Sequence, residues 1–320
     1  MWERLSAAQL VPGADPGAAR DLFKRSVTMV EIEIFSYCNR RCWFCPNSKV
    51  DRISQNVLMP AAMYSRIIDQ LAEISFDGVI AYSRYNEPLS DRIILDRLRE
   101  AQAKVPMARL HTNTNGDYLD HDYVRYLYDA GMRSLNVQLY LKNDERYDHE
   151  QTRKKAALTL KRINLPHVLT RDEPGVWLEY AVTYKDMSIR VYGRNFAVNG
   201  TNRGGQVDIM QDYVRTAPCL MPFWSVYVDY NGLLMPCCNL RSDVPEHRDY
   251  VLGDMAGDGD LFLHYTSRQA ALFRKSLLNH QVKEGVCQNC HFAVPDINQD
   301  CTDIMDRLSR EAEGEMADTV

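Results

Sequence analysis

Three cysteines crowd the segment Phe35-Ser-Tyr-Cys38-Asn-Arg-Arg-Cys42-Trp-Phe-Cys45-Pro-Asn47, with three and then two residues between them. The strand-like run Glu31–Phe35 comes immediately before, so the trio sits on a loop at the end of a strand. Thiolates are soft ligands, and cysteines this close on one loop let the chain follow one face of a cubane iron–sulfur cluster. A cubane has four irons, so three protein ligands leave one iron open to a small molecule. Zinc is the competing occupant, but structural zinc takes four ligands, commonly as CxxC or Cys/His pairs. The spacing here suits that poorly, and no histidine lies nearby. A disulfide framework needs an oxidising compartment. Residues 1–20 hold no apolar secretory segment, so reduced thiols and a cytoplasmic location are expected.

With 320 residues the chain is long enough for one large α/β domain and a smaller attachment. Its 45% hydrophobic and 25% charged content is that of an ordinary globular protein. A net charge of −5 offers no basic surplus for a polyanion, so no nucleic-acid partner is expected. No apolar run approaches a membrane span, so no membrane partner is expected either. The Gly/Pro/Ala-rich stretch Val11–Ala19 reads as a leader outside the core, and the polar end from Arg310 to Val320 as a frayed tail.

Between residues 29 and 205, strand-like and helix-like segments alternate. Strands are expected at Val30–Phe35, Gly78–Ser83, Arg109–Thr114, Ser134–Tyr140 and Val176–Tyr184. Helices are expected at Pro60–Ile74, Asp91–Ala103, Asp120–Ala130 and Asp144–Arg162. Such alternation gives a parallel sheet with helices outside, and periodicity does not separate an open sheet from a barrel. Functional loops in these folds lie at the C-terminal ends of the strands. Tyr82–Pro88 and Thr112–Asp117 hold such places, although each also reads as a plain turn. Asn136 and Gln138 share one face of their strand, either toward a ligand or toward solvent. Tyr85 and Glu179 are further polar candidates near strand ends.

A second cysteine set consists of Cys219, Cys237, Cys287 and Cys290. Trp224–Cys237 reads as a hairpin around Asn231-Gly232, a strong turn signal. Four thiolates saturate a cubane or a structural zinc equally well, and the spacing leaves both open. Cys238 and Cys301 remain over; each reads as a small buried residue or as a reactive thiol.

Taken together, these segments resemble the radical S-adenosylmethionine (SAM) superfamily, whose members cleave SAM reductively to a 5′-deoxyadenosyl radical. The likeness covers about residues 29–292. It rests on Cys38–Ser48, Glu87-Pro-Leu89, Thr114-Asn-Gly-Asp117, Asn202-Arg-Gly-Gly205, the Cys219/Gly232/Cys237 hairpin, Gly253-Asp254 and Cys287-Gln-Asn-Cys290. The second cysteine set is similar to the twitch extension, a truncated SPASM domain. More narrowly, the chain resembles the 2-deoxy-scyllo-inosamine dehydrogenase family of aminocyclitol antibiotic biosynthesis.

The resemblance implies an α/β fold: a partial (β/α)6 barrel over residues 29–205 with a small cysteine-rich auxiliary cluster domain over 206–301. Residues 1–28 are then a leader and 302–320 a tail. It implies one 4Fe–4S cluster on Cys38, Cys42 and Cys45 and a second on Cys219, Cys237, Cys287 and Cys290. Phe44 would pack on the SAM adenine. Asn86 and Glu87 fall where the family keeps Gly-Glu-Pro, with Asn86 replacing a glycine, and would hold the SAM ammonium. Thr114 and Asn115 match its Thr-Asn-Gly segment, while Asn136 and Gln138 would reach the SAM ribose or carboxylate. Arg203 would approach a substrate hydroxyl. The implied reaction abstracts hydrogen from a carbinol carbon of an amino-sugar or aminocyclitol and gives a ketone. Electrons would come from a flavodoxin or ferredoxin. The alternatives are an epimerase using Cys238 or Cys301 as hydrogen donor, a peptide-modifying relative, and a zinc protein without catalysis.

Overall fold

The computed structural model describes residues 2–296 and 298–317. Ten strands form one sheet: β1 Met29–Ile32, β2 Val79–Ala81, β3 Arg109–Thr114, β4 Met132–Gln138, β5 His167–Glu173, β6 Trp177–Tyr184, β7 Met187–Arg194, β8 Ser225–Val228, β9 Leu233–Met235 and β10 Gly253–Asp254. Their order is β10-β9-β8-β1-β2-β3-β4-β7-β6-β5. The six central strands, β8 through β7, pair in parallel. The sheet is therefore open and parallel-rich, as expected of a partial barrel.

Helices cover one face of this sheet because their apolar residues recur at helical spacing. The helix Ala61–Glu73 buries Met63, Tyr64, Ile67, Ile68 and Leu71. Each large side chain so buried contributes about 1.5–3 kcal/mol. Ile32 and Ile34 point into that core, while Glu31 and Glu33 alternate onto the opposite face, and all four are buried. Two carboxylates in an otherwise apolar strand thus look into the concave side of the sheet.

Three expectations change. Trp177–Tyr184 is a strand but not a parallel one: it lies between two antiparallel neighbours, β5 and β7. The parallel run continues instead through β7, then closes on the other edge with β8, which pairs with β1. The chain after residue 205 therefore supplies the sixth parallel strand as well as the expected hairpin. Gly232, at φ +88°, makes that hairpin turn.

Nor do the ends hang outside the core. Asp15 caps a helix at Pro16–Ser26 whose Ala19, Leu22 and Phe23 are buried. Phe23 meets Phe262 and Tyr265 edge-on at 5.1 and 5.2 Å. Proline at the first helical position favoured the helix, a signal masked by the Gly/Ala content of the segment. The helix Gln299–Ala317 runs through most of the expected tail, and its Met305, Leu308 and Ala312 pack on Ala7 and Leu10. Arg274, fully buried, ties these parts together by donating to the carbonyls of Gln9, Pro222 and Tyr265. No helix among the described residues is long and apolar enough to cross a membrane.

Candidate active site

The C-terminal ends of the parallel strands surround a cavity with about 890 Å³ of empty space. It is lined by Cys38, Cys42, Phe44 and Cys45 from the loop after β1, and by Ser83–Glu87 from the loop after β2. Asn113–Asn115 come from β3 and its end, Gln138 and Tyr140 from the end of β4, and Arg194 from the end of β7. Thr201, Arg203 and Phe292 close the far side. The size suits a cofactor together with a small substrate.

The cysteine loop is fixed from several directions. Arg40 pairs with Asp117 at the end of β3 and donates to the Leu141 carbonyl. Trp43 donates its backbone N–H to Asn143 and its indole N–H to Glu145. Asn47 donates to the Tyr85 carbonyl at 2.7 Å and accepts from buried Arg241 at 2.8 Å. Burial and the neighbouring Cys45 push the Cys42 thiol up to about 12, and burial likewise raises Cys38. Three soft donors that oppose one another's ionisation are a donor set that a bound cationic cluster relieves. The trio fits the expected group.

Glu87 lines the cavity, but both its oxygens also brace the fold. They accept from Thr114 Oγ1 at 2.5 Å, from Leu89 N–H at 3.1 Å and from Asn115 N–H at 2.7 Å. Burial pushes its carboxyl up to about 7 despite those donors. Among the described residues the buried side-chain NH₂ of Asn86 has no partner, so it is a donor that a polar ligand would satisfy. One face of Phe44 is stacked on Phe196, with centroids 3.6 Å apart, so only its remaining surface is free for another ring. Gln138 lines the cavity. Asn136 does not: its NH₂ donates to Asn113, which in turn donates to Ser83, in a polar ladder across β4, β3 and the end of β2. Tyr85 lines the cavity, whereas Glu179 pairs with Arg190 on the neighbouring strand and lies outside it.

Cys219, Cys237, Cys287 and Cys290 line a second cavity of about 400 Å³ of empty space. Phe292 borders both cavities. Among the described residues no three His, Cys, Asp or Glu side chains close on one point as a single metal ion needs. Buried Arg215 borders the second cavity and spends its donors on the carbonyls of Ala217, Pro218, Cys290 and Phe292, at 2.5–3.0 Å. A buried guanidinium with only neutral partners is costly unless negative charge lies beside it. A thiolate-ligated cluster supplies that charge, so this cavity fits one too.

Of the two remaining cysteines, neither lines the large cavity. Cys238 packs with Cys219, Met221 and Leu277, and its carbonyl accepts from Arg84 and Tyr85. Cys301 is buried on the helix Gln299–Ala317. Neither is thus in the wall of that cavity: Cys238 is buried beside Glu31, Arg84 and Arg203, and Cys301 packs in the helix core.

Several residues that shape the site carried no motif. Glu33 accepts from the backbone N–H groups of Tyr85 and Asn86 at 2.8 and 2.6 Å, and from Arg52 and Tyr227. It thereby fixes the loop after β2; its place among apolar strand residues was the signal available. Asn239 accepts at Oδ1 from Arg84, Thr201 and Arg203 while its N–H approaches Cys237 Sγ at 3.4 Å. Arg203 is held at φ +52°, costing about 1–2 kcal/mol for a residue with a Cβ, and such strain gathers at functional sites. Arg84, Arg194 and Tyr140 also line the cavity unannounced.

Comparison with known proteins agrees with this geometry. The chain is 25% identical over 266 residues to S-adenosyl-L-methionine-dependent 2-deoxy-scyllo-inosamine dehydrogenase of Niallia circulans, covering 82% of this chain and 92% of the relative. It is 24% identical over 130 residues to GTP 3′,8-cyclase of Peptoclostridium acidaminophilum, covering 40% and 39% of the two chains. The crystal structure of BtrN in complex with AdoMet and 2-DOIA superposes with a TM-score of 0.60 at 22% identity, over 83% of this chain and 94% of that one. Residues 32–170 match the Radical SAM superfamily, a span that starts in β1 and takes in the whole cysteine loop. Over those residues the chain matches a radical SAM domain, and the match implies SAM and a 4Fe–4S cluster.

Proposed function

We propose that this enzyme oxidises a secondary carbinol of an amino-sugar or aminocyclitol to a ketone. In this reading Cys38, Cys42 and Cys45 hold the SAM-cleaving cluster, and Cys219, Cys237, Cys287 and Cys290 hold a second one. When bound, the first cluster and SAM supply a 5′-deoxyadenosyl radical. The residues of the chain bind and orient. The loop from Ser83 to Glu87, with Thr114, Asn115 and Gln138, receives SAM beside the cysteine trio. Phe44 offers its uncovered surface to the adenine. Arg203 donates to substrate hydroxyl oxygens with its fork of N–H groups; a guanidinium has donors and no acceptor, so it orients rather than deprotonates.

A single observation carries the choice of oxidation: the two thiol-lined cavities are neighbours, with Phe292 in the wall of both. Oxidation of a carbinol radical to a ketone releases one electron and one proton, and an acceptor next to the substrate takes the electron. Inversion needs a hydrogen donor facing the substrate, and neither Cys238 nor Cys301 faces that cavity. The similarity to an aminocyclitol dehydrogenase supports the substrate class. The initial reductant is expected to be a flavodoxin or ferredoxin.

The test is anaerobic reconstitution followed by incubation with SAM and candidate aminocyclitols in deuterated water. Stoichiometric 5′-deoxyadenosine with a product two mass units lighter supports oxidation. Deuterium on a substrate carbon with inverted configuration, lost in Cys238→Ala or Cys301→Ala, overturns it in favour of epimerisation.

A further inference from the structure

Three arginines line the large cavity without a carboxylate partner. Among the described residues, Arg84 reaches the Cys238 carbonyl and Asn239 Oδ1, Arg194 the Asn199 carbonyl at 3.1 Å, and Arg203 Asn239 Oδ1 at 3.0 Å. All of these partners are neutral oxygens. Among the described residues the Nε–H groups of Arg194 and Arg203 are buried with no acceptor. A guanidinium carries five donors and stays charged, so an unfilled edge in a desolvated site is a standing cost until an anion meets it.

The cofactors do not account for this surplus. The cysteine trio has its own cations, Arg40 and Lys155, close enough to act on Cys42. The second thiol set has Arg215 and Lys283, which act on Cys287, and it also draws on Arg203 at Cys290 and Arg84 at Cys237, so the arginine it leaves wholly uncompensated is Arg194. SAM brings one carboxylate but also an ammonium and a sulfonium, so it adds positive charge rather than removing it. Among the described residues Glu87 is the single carboxylate lining the cavity, and it is committed to Thr114, Leu89 and Asn115; buried Glu31 lies near Arg84 and Arg203 but does not act on Arg194. Burial lowers the Arg194 pKa from its usual value, and nearby Arg203 and Arg84 push it the same way. At Arg194, whose Nε–H has no acceptor among the described residues, that repulsion is relieved when something negative enters.

We propose that the substrate carries an anionic substituent, a phosphate ester or a carboxylate, and that Arg194 and Arg203 hold its oxygens with Arg84 behind them. This rests on the reading of the cavity as the substrate site and narrows the substrate to a polyol of negative charge. An aminocyclitol or amino-sugar without that substituent leaves the arginines unfilled and binds more weakly than its anionic counterpart. Arginine is the residue suited to this task, because its planar fork matches two oxygens of phosphate or carboxylate. Arg203 is held rigidly by its left-handed backbone and by Asn239, so little rotamer freedom is lost on binding.

The experiment measures binding rather than turnover. The reconstituted holoenzyme with SAM is titrated calorimetrically with glucosamine 6-phosphate and glucosamine, and with glucuronate and glucose. The charged member of at least one pair is expected to bind ten-fold or more tightly than its partner at low salt, with the advantage falling as salt rises. The preferred pair tells phosphate from carboxylate. Arg194→Gln and Arg203→Gln are each expected to remove most of that advantage, while Arg194→Lys, which keeps the charge, retains part of it. Equal affinity within both pairs overturns the proposal, as does an advantage that survives the Arg194→Gln/Arg203→Gln double variant. Failure of the radical reading shows differently, as absent 5′-deoxyadenosine and ketone with the binding preference intact.

Discussion

Arg40 grips Asp117 through two parallel hydrogen bonds, Nε to Oδ2 at 2.6 Å and Nη2 to Oδ1 at 2.7 Å. The first residue stands between Cys38 and Cys42, and the second follows β3, so one bidentate pair locks the cysteine loop to a different strand end. Asn39 reinforces it by donating to Asp117 and accepting from Asn115. Arg40→Lys keeps the charge but loses the fork, and Arg40→Ala loses both. Arg40→Ala should cost about 1–3 kcal/mol in thermal or denaturant unfolding. Both variants should retain less iron per chain after desalting; unchanged iron in Arg40→Ala would show that the pair does not hold the loop.

Glu33 should behave as a positioning residue for the loop after β2. Removing its carboxylate in Glu33→Ala orphans the N–H groups of Tyr85 and Asn86 and leaves Arg52 with Asp243 at 3.0 Å. The expected loss is about 2–3 kcal/mol of stability together with a raised KM for SAM. Glu33→Gln, which keeps an acceptor oxygen, should recover most of the SAM affinity. Equal KM in all three proteins would refute the assignment.

The two thiol sets should separate cleanly. Cys42→Ala is expected to abolish 5′-deoxyadenosine formation. Cys287→Ser should leave about four of about eight irons per chain, permit SAM cleavage and stop ketone formation. Zinc in place of iron and sulfide in the second cavity would overturn this assignment, as would undiminished ketone formation by Cys287→Ser.

His111 lies in β3 beneath the cavity, with Nδ1 3.0 Å from Ser134 Oγ. Burial lowers its pKa to about 4. Between pH 6.5 and pH 4 the unfolded chain therefore binds a proton that the folded one refuses, and the stability contributed by neutral His111 is lost as pH falls through that window. The side chain is only partly shielded from solvent, so the effect should be about 1–2 kcal/mol. His111→Asn should flatten the pH dependence of the unfolding free energy over this range; an unchanged slope would assign that dependence elsewhere.

Much of this site could be read from spacing alone. Cys38, Cys42 and Cys45 fall on one rim because three close cysteines after a strand leave the chain little freedom, and β3 matches its expected span of Arg109–Thr114. The second thiol set is brought together across a long sequence interval, as its spacing suggested. Contacts made by ordinary residues were not legible. Nothing marks Asn239 as the acceptor shared by Arg84, Thr201 and Arg203, because that role exists only once β9 and the turn after β7 are adjacent. Asn136 shows the opposite error. Its face was foreseen, but its place one step deeper along β4 hands it to Asn113 rather than to the cavity. The Pro16–Ser26 helix was missed because composition outweighed its cap, Asp15, which accepts from Gly17 and Ala18.

The pairing of β8 with β1 has an architectural consequence. A protein cut after residue 205 would leave the main-chain groups along one side of Met29–Ile32 without mates, at the very strand that launches the cysteine loop. The chain after residue 205 is therefore woven into the same sheet that carries the cysteine loop. It cannot be exchanged like a detachable cartridge, because removing it opens the edge of β1.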